Sequence, residues 1–415
     1  MSDVQEICRR AATAATSLAR LPTEVKNAAL LSMAAALERA EPALVAANRR
    51  DVERTQAAGA PKSLVDRLTL TESRVDAMAA ALRAIAAQPD PIGEVVEGWR
   101  RPNGLLVEKV RVPLGVVAVI YEARPNVTAD VAGLCLKSGN ACVLRGPSNA
   151  LESNVAIVKL LREAIASAGV TGDALQLVDD PSRESGIELM RAKGVVDLVV
   201  PRGGPALIRA IEENATVPFI IDGDGNCHLY VDRAADPQMA TSIVLNAKTQ
   251  RPSVCNAIET LLVHEELADK WLPGALEALA DRGVQIRGDS RVRQIFPTAA
   301  EATDEDWARE YLDLILAVRV VPSAEDAITH INRWGTSNAE GIVTQDVSTA
   351  RRFAAEVDSG SVFINSSTRF SDGGEFGFGA EIGISTQKLH ARGPLGLREL
   401  TSVKYVVWGE GQVRS

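Results

Sequence analysis

The chain has 415 residues, too many for one compact core and about right for two domains. A hydrophobic content of 46% excludes bulk disorder, while an aromatic content of only 4% leaves the core to Ala, Val, Leu and Ile and gives little material for stacking on bases. The formal net charge of −9 argues against a nucleic-acid binder, although a local cationic pocket around a small anion is compatible with it.

Residues 1 to about 90 read as successive helices. The stretch 27–37 carries apolar residues at helical spacing, and Thr71 followed by Glu72 marks a helix start. Pro89 and Pro91 close this region. From about 105 the period changes: 105–112 alternates as a half-exposed strand, Pro113 and Gly115 break it, and 116–120 is wholly apolar. Helices near 128–138, 150–168, 183–192 and 204–213 then take turns with strands at 141–144, 175–178, 195–200 and 217–221. Short apolar strands separated by helices predict a parallel sheet, which places its ligand beyond the carboxyl ends of its strands. A second series follows Asp232, with helices near 236–249 and 265–281 and strands at 260–263, 314–321 and 362–365. The Gly-rich stretch 373–379 leads to a last strand at 402–407.

No apolar run is long enough to cross a bilayer, and the first residues lack the basic and apolar segments of an export signal. Five cysteines (Cys8, Cys135, Cys142, Cys227 and Cys255) without CxxC spacing, and four histidines that never cluster, give neither a disulfide framework nor a metal site. The expectation is a reduced, cytoplasmic protein with no metal, no membrane attachment and no nucleic-acid partner.

The usual Gly-x-Gly-x-x-Gly turn is absent after strand 116–120. Instead Arg145 and Ser148 stand where a strand end meets a helix start, suited to phosphate or ribose. Gly203 and Gly204 open another helix and would let a pyrophosphate approach backbone N–H groups; tight turns without a ligand are the alternative. The run 222–226 is acidic and Gly-rich but fails as a calcium loop, having Cys227 and Arg233 where Gly and Glu belong. Cys255 lies in a polar, Pro-interrupted segment near Lys248 and Arg251, which favour a thiolate. A packing cysteine is the alternative, and a hydrolase would need one of His228, His264, His330 or His390 beside it.

The runs 121–128 (Tyr-Glu-Ala-Arg-Pro-Asn-Val-Thr), 225–228 (Gly-Asn-Cys-His), the segment around Cys255, 365–374 and 385–394 occur in order, and together they resemble the aldehyde dehydrogenase superfamily. Within it the resemblance is to the branch that reduces an acyl phosphate in proline biosynthesis. It implies NADP(H) as cofactor and NADPH-dependent reduction of L-glutamyl 5-phosphate to L-glutamate 5-semialdehyde and phosphate through a Cys255 thioester. It implies Asn126 as a donor to the carbonyl oxygen, with the Cys255 N–H as the other, and Glu310 as the residue holding the nicotinamide ribose. Arg145 replaces a lysine of many relatives and suits a 2′-phosphate. Arg124, Lys248, Arg251 and Arg369 are cations available, unassigned, for the substrate's anionic groups.

Two departures stand out. No glutamate precedes the glycines at 223 and 225 to act as the general base of oxidising relatives, Asp222 being the nearest stand-in. Asn338-Ala339 stands where close relatives usually carry His-Ser or His-Thr. The implied fold is α/β and aldehyde-dehydrogenase-like: a Rossmann-type cofactor domain (1–104 and 116–232, with a return at 380–397), an α/β catalytic domain (233–379), and a small β oligomerisation arm (105–115 and 398–415). The arm predicts a homo-oligomer, and the lability of the substrate suggests functional coupling to glutamate 5-kinase. Alternatives are an oxidising semialdehyde dehydrogenase of the same superfamily, a cysteine hydrolase, and a non-catalytic binding protein.

Overall fold

The computed structural model describes residues 3–122, 124–221 and 223–414. The chain divides into two compact units, 1–222 with 377–383 and 395–415, and 223–376 with 384–394.

The first unit opens with helices Asp3–Leu18, Thr23–Ala57, Lys62–Leu68 and Glu72–Ala87. Thr71 caps the last of these, its hydroxyl accepting from the Arg74 N–H. The expected parallel sheet is present, in the order Leu175–Leu177, Ala141–Arg145, Val116–Tyr121, Leu198–Arg202. Every residue of Val116–Tyr121 is buried, because helices cover both faces of this central strand and remove the need for polar alternation. Helix Asn126–Lys137 packs on Glu72–Ala87 at Gly133, where an added Cβ would fall 2.6 Å from Leu82 Cδ2. The stretch 217–221 is not a strand; only Phe219 bridges to Val199. The expected strand at 195–200 starts later, at Leu198, because Asp197 turns its carboxylate onto the Val116 N–H at 2.8 Å.

A separate antiparallel sheet in this unit joins Val95–Arg100, Leu106–Pro113 and Thr401–Trp408. The last two strands pair over eight residues, from Thr401 opposite Pro113 to Trp408 opposite Leu106. The strand at 95–100 was not foreseen, because its Gly98 and polar neighbours interrupt the alternation.

The second unit is built on a seven-stranded parallel sheet in the order Ala300–Glu301, Gln285–Gly288, Ile315–Val321, Ile258–His264, Cys227–Val231, Ala339–Val343, Ser361–Ile364. Side chains alternate between two cores, as the two-residue period of a strand requires. Leu229, Val231, Leu261 and Val263 pack against Val244, Ala247, Leu272 and Leu276. Tyr230, Leu262 and Ile342 pack the other way, against Ile328, Ile331 and Phe353. Each fully buried side chain of this kind stabilises by roughly 1.5–3 kcal/mol. The expected helix at 265–281 is two, Glu265–Ala268 and Leu272–Ala280, separated by residues 269–271, with Pro273 in the first turn of the second.

The units depart from the domain limits read in the sequence. Strand Cys227–Val231 pairs with Ile258–His264 and so belongs to the second unit, moving the division ten residues back from 232. Residues 384–394 also belong to the second unit, as Gly393 lies against Gly360.

Candidate active site

Cys255 lies in the second unit, on the turn between helix Pro237–Thr249 and strand Ile258–His264. Pro252 prevents the helix from running on, and the chain turns tightly enough for the Ala257 N–H to reach Val254 O at 3.1 Å. Cys255 is half-buried, whereas Cys8, Cys135, Cys142 and Cys227 are all buried. Burial pushes the Cys8 thiol up to about 11, and raises Cys142 and Cys227 well above the usual thiol range.

Three neighbours fix the backbone at Cys255. A Cβ at position 225 would fall 1.8 Å from the Cys255 carbonyl oxygen, so only glycine fits there. The Cys227 thiol donates to the same carbonyl oxygen at 3.1 Å. Asn256 is stitched to the loop 368–371, its carbonyl accepting from Thr368 Oγ1 at 2.7 Å and its amide donating to Ser371 O at 2.9 Å. The Gly225 N–H in turn donates to Glu310 Oε1 at 2.8 Å, which brings Glu310 into the vicinity of Cys255. The Gly225–His228 turn is pinned further by Asn226, whose amide donates to Trp307 O and Trp334 O at 2.7 and 2.8 Å.

Lys248 belongs to this neighbourhood but is committed elsewhere. It forms a wholly buried ion pair with Glu259 at 2.6 Å. The other oxygen of Glu259 accepts from the Leu312 N–H at 3.1 Å, in a turn where Leu312 has the left-handed φ of 54°. Arg251 and Arg369 have no carboxylate within ion-pair distance among the described residues.

The four histidines have other occupations. His228 is buried 3.2 Å from Glu340. His330 shares a 3.0 Å hydrogen bond with Arg319 and packs edge-on to His228 and Trp307. His264 accepts from the Glu266 N–H as a helix cap, and His390 is exposed. The Asn338-Ala339 departure falls at the start of the buried strand Ala339–Val343, with the amide of Asn338 buried and without a hydrogen-bond partner. Asp222 lies outside the described residues.

The other expected residues lie in the first unit, at the carboxyl edge of its sheet. Asn126 begins helix Asn126–Lys137 after strand Val116–Tyr121, and one N–H of its amide donates to Asp130 Oδ2 at 3.1 Å. Burial pushes the Asp130 carboxyl up to about 6, against the pull of Asn126 and Arg202. Arg145 ends its strand as expected, but one of its terminal nitrogens is held by the carbonyls of Pro181 and Ser182 at 2.9 and 2.8 Å. Ser148 opens the short helix Ser148–Ala150 and is exposed. Gly203 and Gly204 precede helix Pro205–Asn214, but the Gly204 N–H is not free: it donates to Glu122 Oε2 at 3.0 Å. A Cβ at Gly203 would fall 2.6 Å from the Glu122 carboxyl carbon.

Asp130, Glu122 and Glu259 escaped the sequence reading. Asp130 had a signal, standing four residues after Asn126 on one helix face. Glu122 had none, since its partner lies 82 residues away, and Glu259, eleven residues from Lys248, sits in an apolar strand that gives no sign of the pair.

The model of the aldehyde dehydrogenase family matches residues 1–291 and 305–406. The chain belongs to that family. Within it, the chain is 57% identical over 412 residues to the γ-glutamyl phosphate reductase of Moorella thermoacetica, covering 99% of each. It is 54% identical over 412 residues to that of Thermobifida fusca, again covering 99% of each. The crystal structure of γ-glutamyl phosphate reductase from Thermotoga maritima matches with a TM-score of 0.97 at 45% identity, covering 100% of both chains. The resemblance carried by the motifs and the α/β fold it implied are thereby borne out.

Proposed function

We propose that the protein is a γ-glutamyl phosphate reductase, converting L-glutamyl 5-phosphate to L-glutamate 5-semialdehyde and phosphate in proline biosynthesis. The observation that carries this reading is the one half-buried thiol, Cys255, with its carbonyl fixed by Gly225 and Cys227. The Cys255 thiolate attacks the γ-carbonyl carbon, the bond from that carbon to the phosphate oxygen breaks, and phosphate leaves a thioester behind. After reduction, the C–S bond breaks, freeing the aldehyde and returning the thiolate. Negative charge develops on the carbonyl oxygen in both additions; the Asn126 amide and the Cys255 N–H are the donors assigned to it.

NADP(H) is the cofactor of this reading, and when bound it supplies the hydride that reduces the thioester. The carboxyl edge of the first unit's sheet suits such a group at Arg145 and Ser148, beside one strand end, whereas at the Gly203-Gly204 turn Glu122 holds the Gly204 N–H. Arg145 is assigned to the 2′-phosphate and Glu310 to the nicotinamide ribose. The lack of a glutamate ahead of Gly223 favours a reductase, because an enzyme that carries an activated thioester must not activate water.

The antiparallel sheet leaves Val95, Trp99, Tyr405, Val407 and Trp408 exposed, and Trp99 meets Tyr405 edge-on at 6.3 Å. Such a face supports assembly into a homo-oligomer. The deciding assay follows NADPH formation from NADP and glutamate semialdehyde, with and without phosphate. Phosphate-dependent turnover that Cys255→Ala abolishes is expected; turnover indifferent to phosphate points instead to an oxidising semialdehyde dehydrogenase.

A further inference from the structure

We propose that Arg369, with Arg251 beside it, receives the phosphate group of the acyl phosphate, an inference that rests on the reductase reading. Arg369 sits in the short helix Thr368–Phe370, directly after the strand Ser361–Ile364 and its connecting turn. The two residues that tie this loop down, Thr368 and Ser371, both bind Asn256, the immediate neighbour of the nucleophile. Arg369 is thus held on a loop fastened on either side to the residue next to Cys255. Its Nε donates to Gln250 Oε1 at 2.8 Å, and Gln250 precedes Arg251 in the segment that leads to the thiol.

With Nε spent on Gln250, the two terminal nitrogens of Arg369 face no ion pair among the described residues. Burial, together with the like charge of Arg251, disfavours the guanidinium, and Asp372 and Cys255 only partly oppose this. Two cations whose repulsion Asp372 and Cys255 offset only in part are an unfavourable arrangement that a dianion corrects. Lys248, the other cation of this segment, is unavailable because Glu259 holds it in the interior. The pair therefore presents a fork of N–H donors beside the nucleophile, the geometry that suits phosphate.

The substrate carries two anionic groups, and connectivity separates them. The phosphate is bonded through one oxygen to the carbon that Cys255 attacks, so it must lie beside the thiol. The α-carboxylate stands at the far end of the carbon chain. A cation tethered to the neighbour of Cys255 matches the former. In the oxidative direction the same pair would hold inorganic phosphate for attack on the thioester carbonyl carbon, with the thiolate leaving.

The test is steady-state kinetics in that direction for Arg369→Gln and Arg369→Lys, with melting temperature as the check on folding. Arg369→Gln should raise KM for inorganic phosphate at least about tenfold, leaving KM for semialdehyde and NADP within about twofold. Arg369→Lys should recover part of the loss by keeping the charge without the fork. A raised KM for semialdehyde with an unchanged KM for phosphate would assign the cation to the α-carboxylate and overturn the proposal. A second readout needs no turnover: inorganic phosphate should slow alkylation of Cys255 by iodoacetamide in the unmodified protein, and not in Arg369→Gln. Equal protection in both overturns the proposal even if the variant is destabilised. If the unmodified protein shows no phosphate-dependent reduction of NADP, the reductase reading itself fails. If it does and Arg369→Gln behaves identically, only this inference fails.

Discussion

Lys248 Nζ lies 2.6 Å from Glu259 Oε2, with both side chains wholly withdrawn from solvent. Burial disfavours both charges, and each partner offsets part of the other's penalty. Removing one partner leaves the other as an uncompensated buried charge. Lys248→Met should therefore destabilise the protein by about 3–5 kcal/mol. The double variant Lys248→Met with Glu259→Leu should recover most of this, short of about 1 kcal/mol for the lost bond to the Leu312 N–H. Denaturant unfolding of the single and double variants checks the point; additive losses would show that the pair is not coupled.

Gly225→Ala introduces a methyl group where the Cys255 carbonyl oxygen stands. The clash is with backbone, so the turn bearing the nucleophile has to move. A displacement of about 1 Å at a reacting atom commonly costs on the order of 10²-fold in rate. We expect kcat to fall by about that factor, with NADPH binding, measured by fluorescence, weakened as well because the Gly225 N–H also holds Glu310. Unaltered kcat would mean that the turn has room to shift.

His330 introduces an acid limit. Burial, reinforced by His228, Arg319 and Arg333, pushes its pKa down to about 2, so the folded protein keeps the ring neutral. The unfolded chain protonates it near 6.5. The stability this preserves is complete above about pH 6.5 and is lost as pH falls below it, by about 1.4 kcal/mol per pH unit. His330→Phe should flatten the fall in melting temperature between about pH 6.5 and 4.5. A ring resonance of His330 titrating near pH 6 in the folded protein would contradict the assignment.

Thiol chemistry should be confined to one site. Four of the five cysteines are buried, and Cys8, Cys142 and Cys227 have raised pKa values. Iodoacetamide at neutral pH should modify Cys255 alone, and peptide mass spectrometry should find one alkylated residue when activity is gone. Modification of Cys227 at a comparable rate would show that its contact with the Cys255 carbonyl is readily broken.

Much of this was legible in the sequence wherever the cause was local. The strands read at 116–120 and 141–144 declared themselves as apolar runs between helices and each extends one residue further, and Thr71 announced a cap that its own hydroxyl makes. Cys255 stood out because polar residues, Pro252 and two cations surround it, with a packing cysteine left as the alternative. Hidden features depended on partners far along the chain. That Gly225 must be glycine follows from a carbonyl thirty residues later, and the anchoring of Asn256 from a loop beyond residue 367. The glycine pair at 203–204 read as open donors because nothing nearby in sequence reveals that Glu122 reaches one of them. The strand Ala339–Val343 was missed because its Asn338-Ala339-Glu340 start is polar, and only the contact of Glu340 with His228 makes that polarity tolerable indoors.

The chain changes unit at 222, 376, 383 and 394, so neither unit is one continuous stretch. The last strand, Thr401–Trp408, completes a sheet begun by residues near position 106. A ribosome must therefore have passed residue 408 before the first unit can close its antiparallel sheet. No single cut frees either half intact: ending the chain at 376 leaves the strand Leu106–Pro113 without its Thr401–Trp408 neighbour, and starting at 223 carries that neighbour away unpaired. Truncation is a poor route to a separate cofactor-binding or thiol-bearing fragment, and circular permutation is the one rearrangement that keeps every pairing while moving the ends.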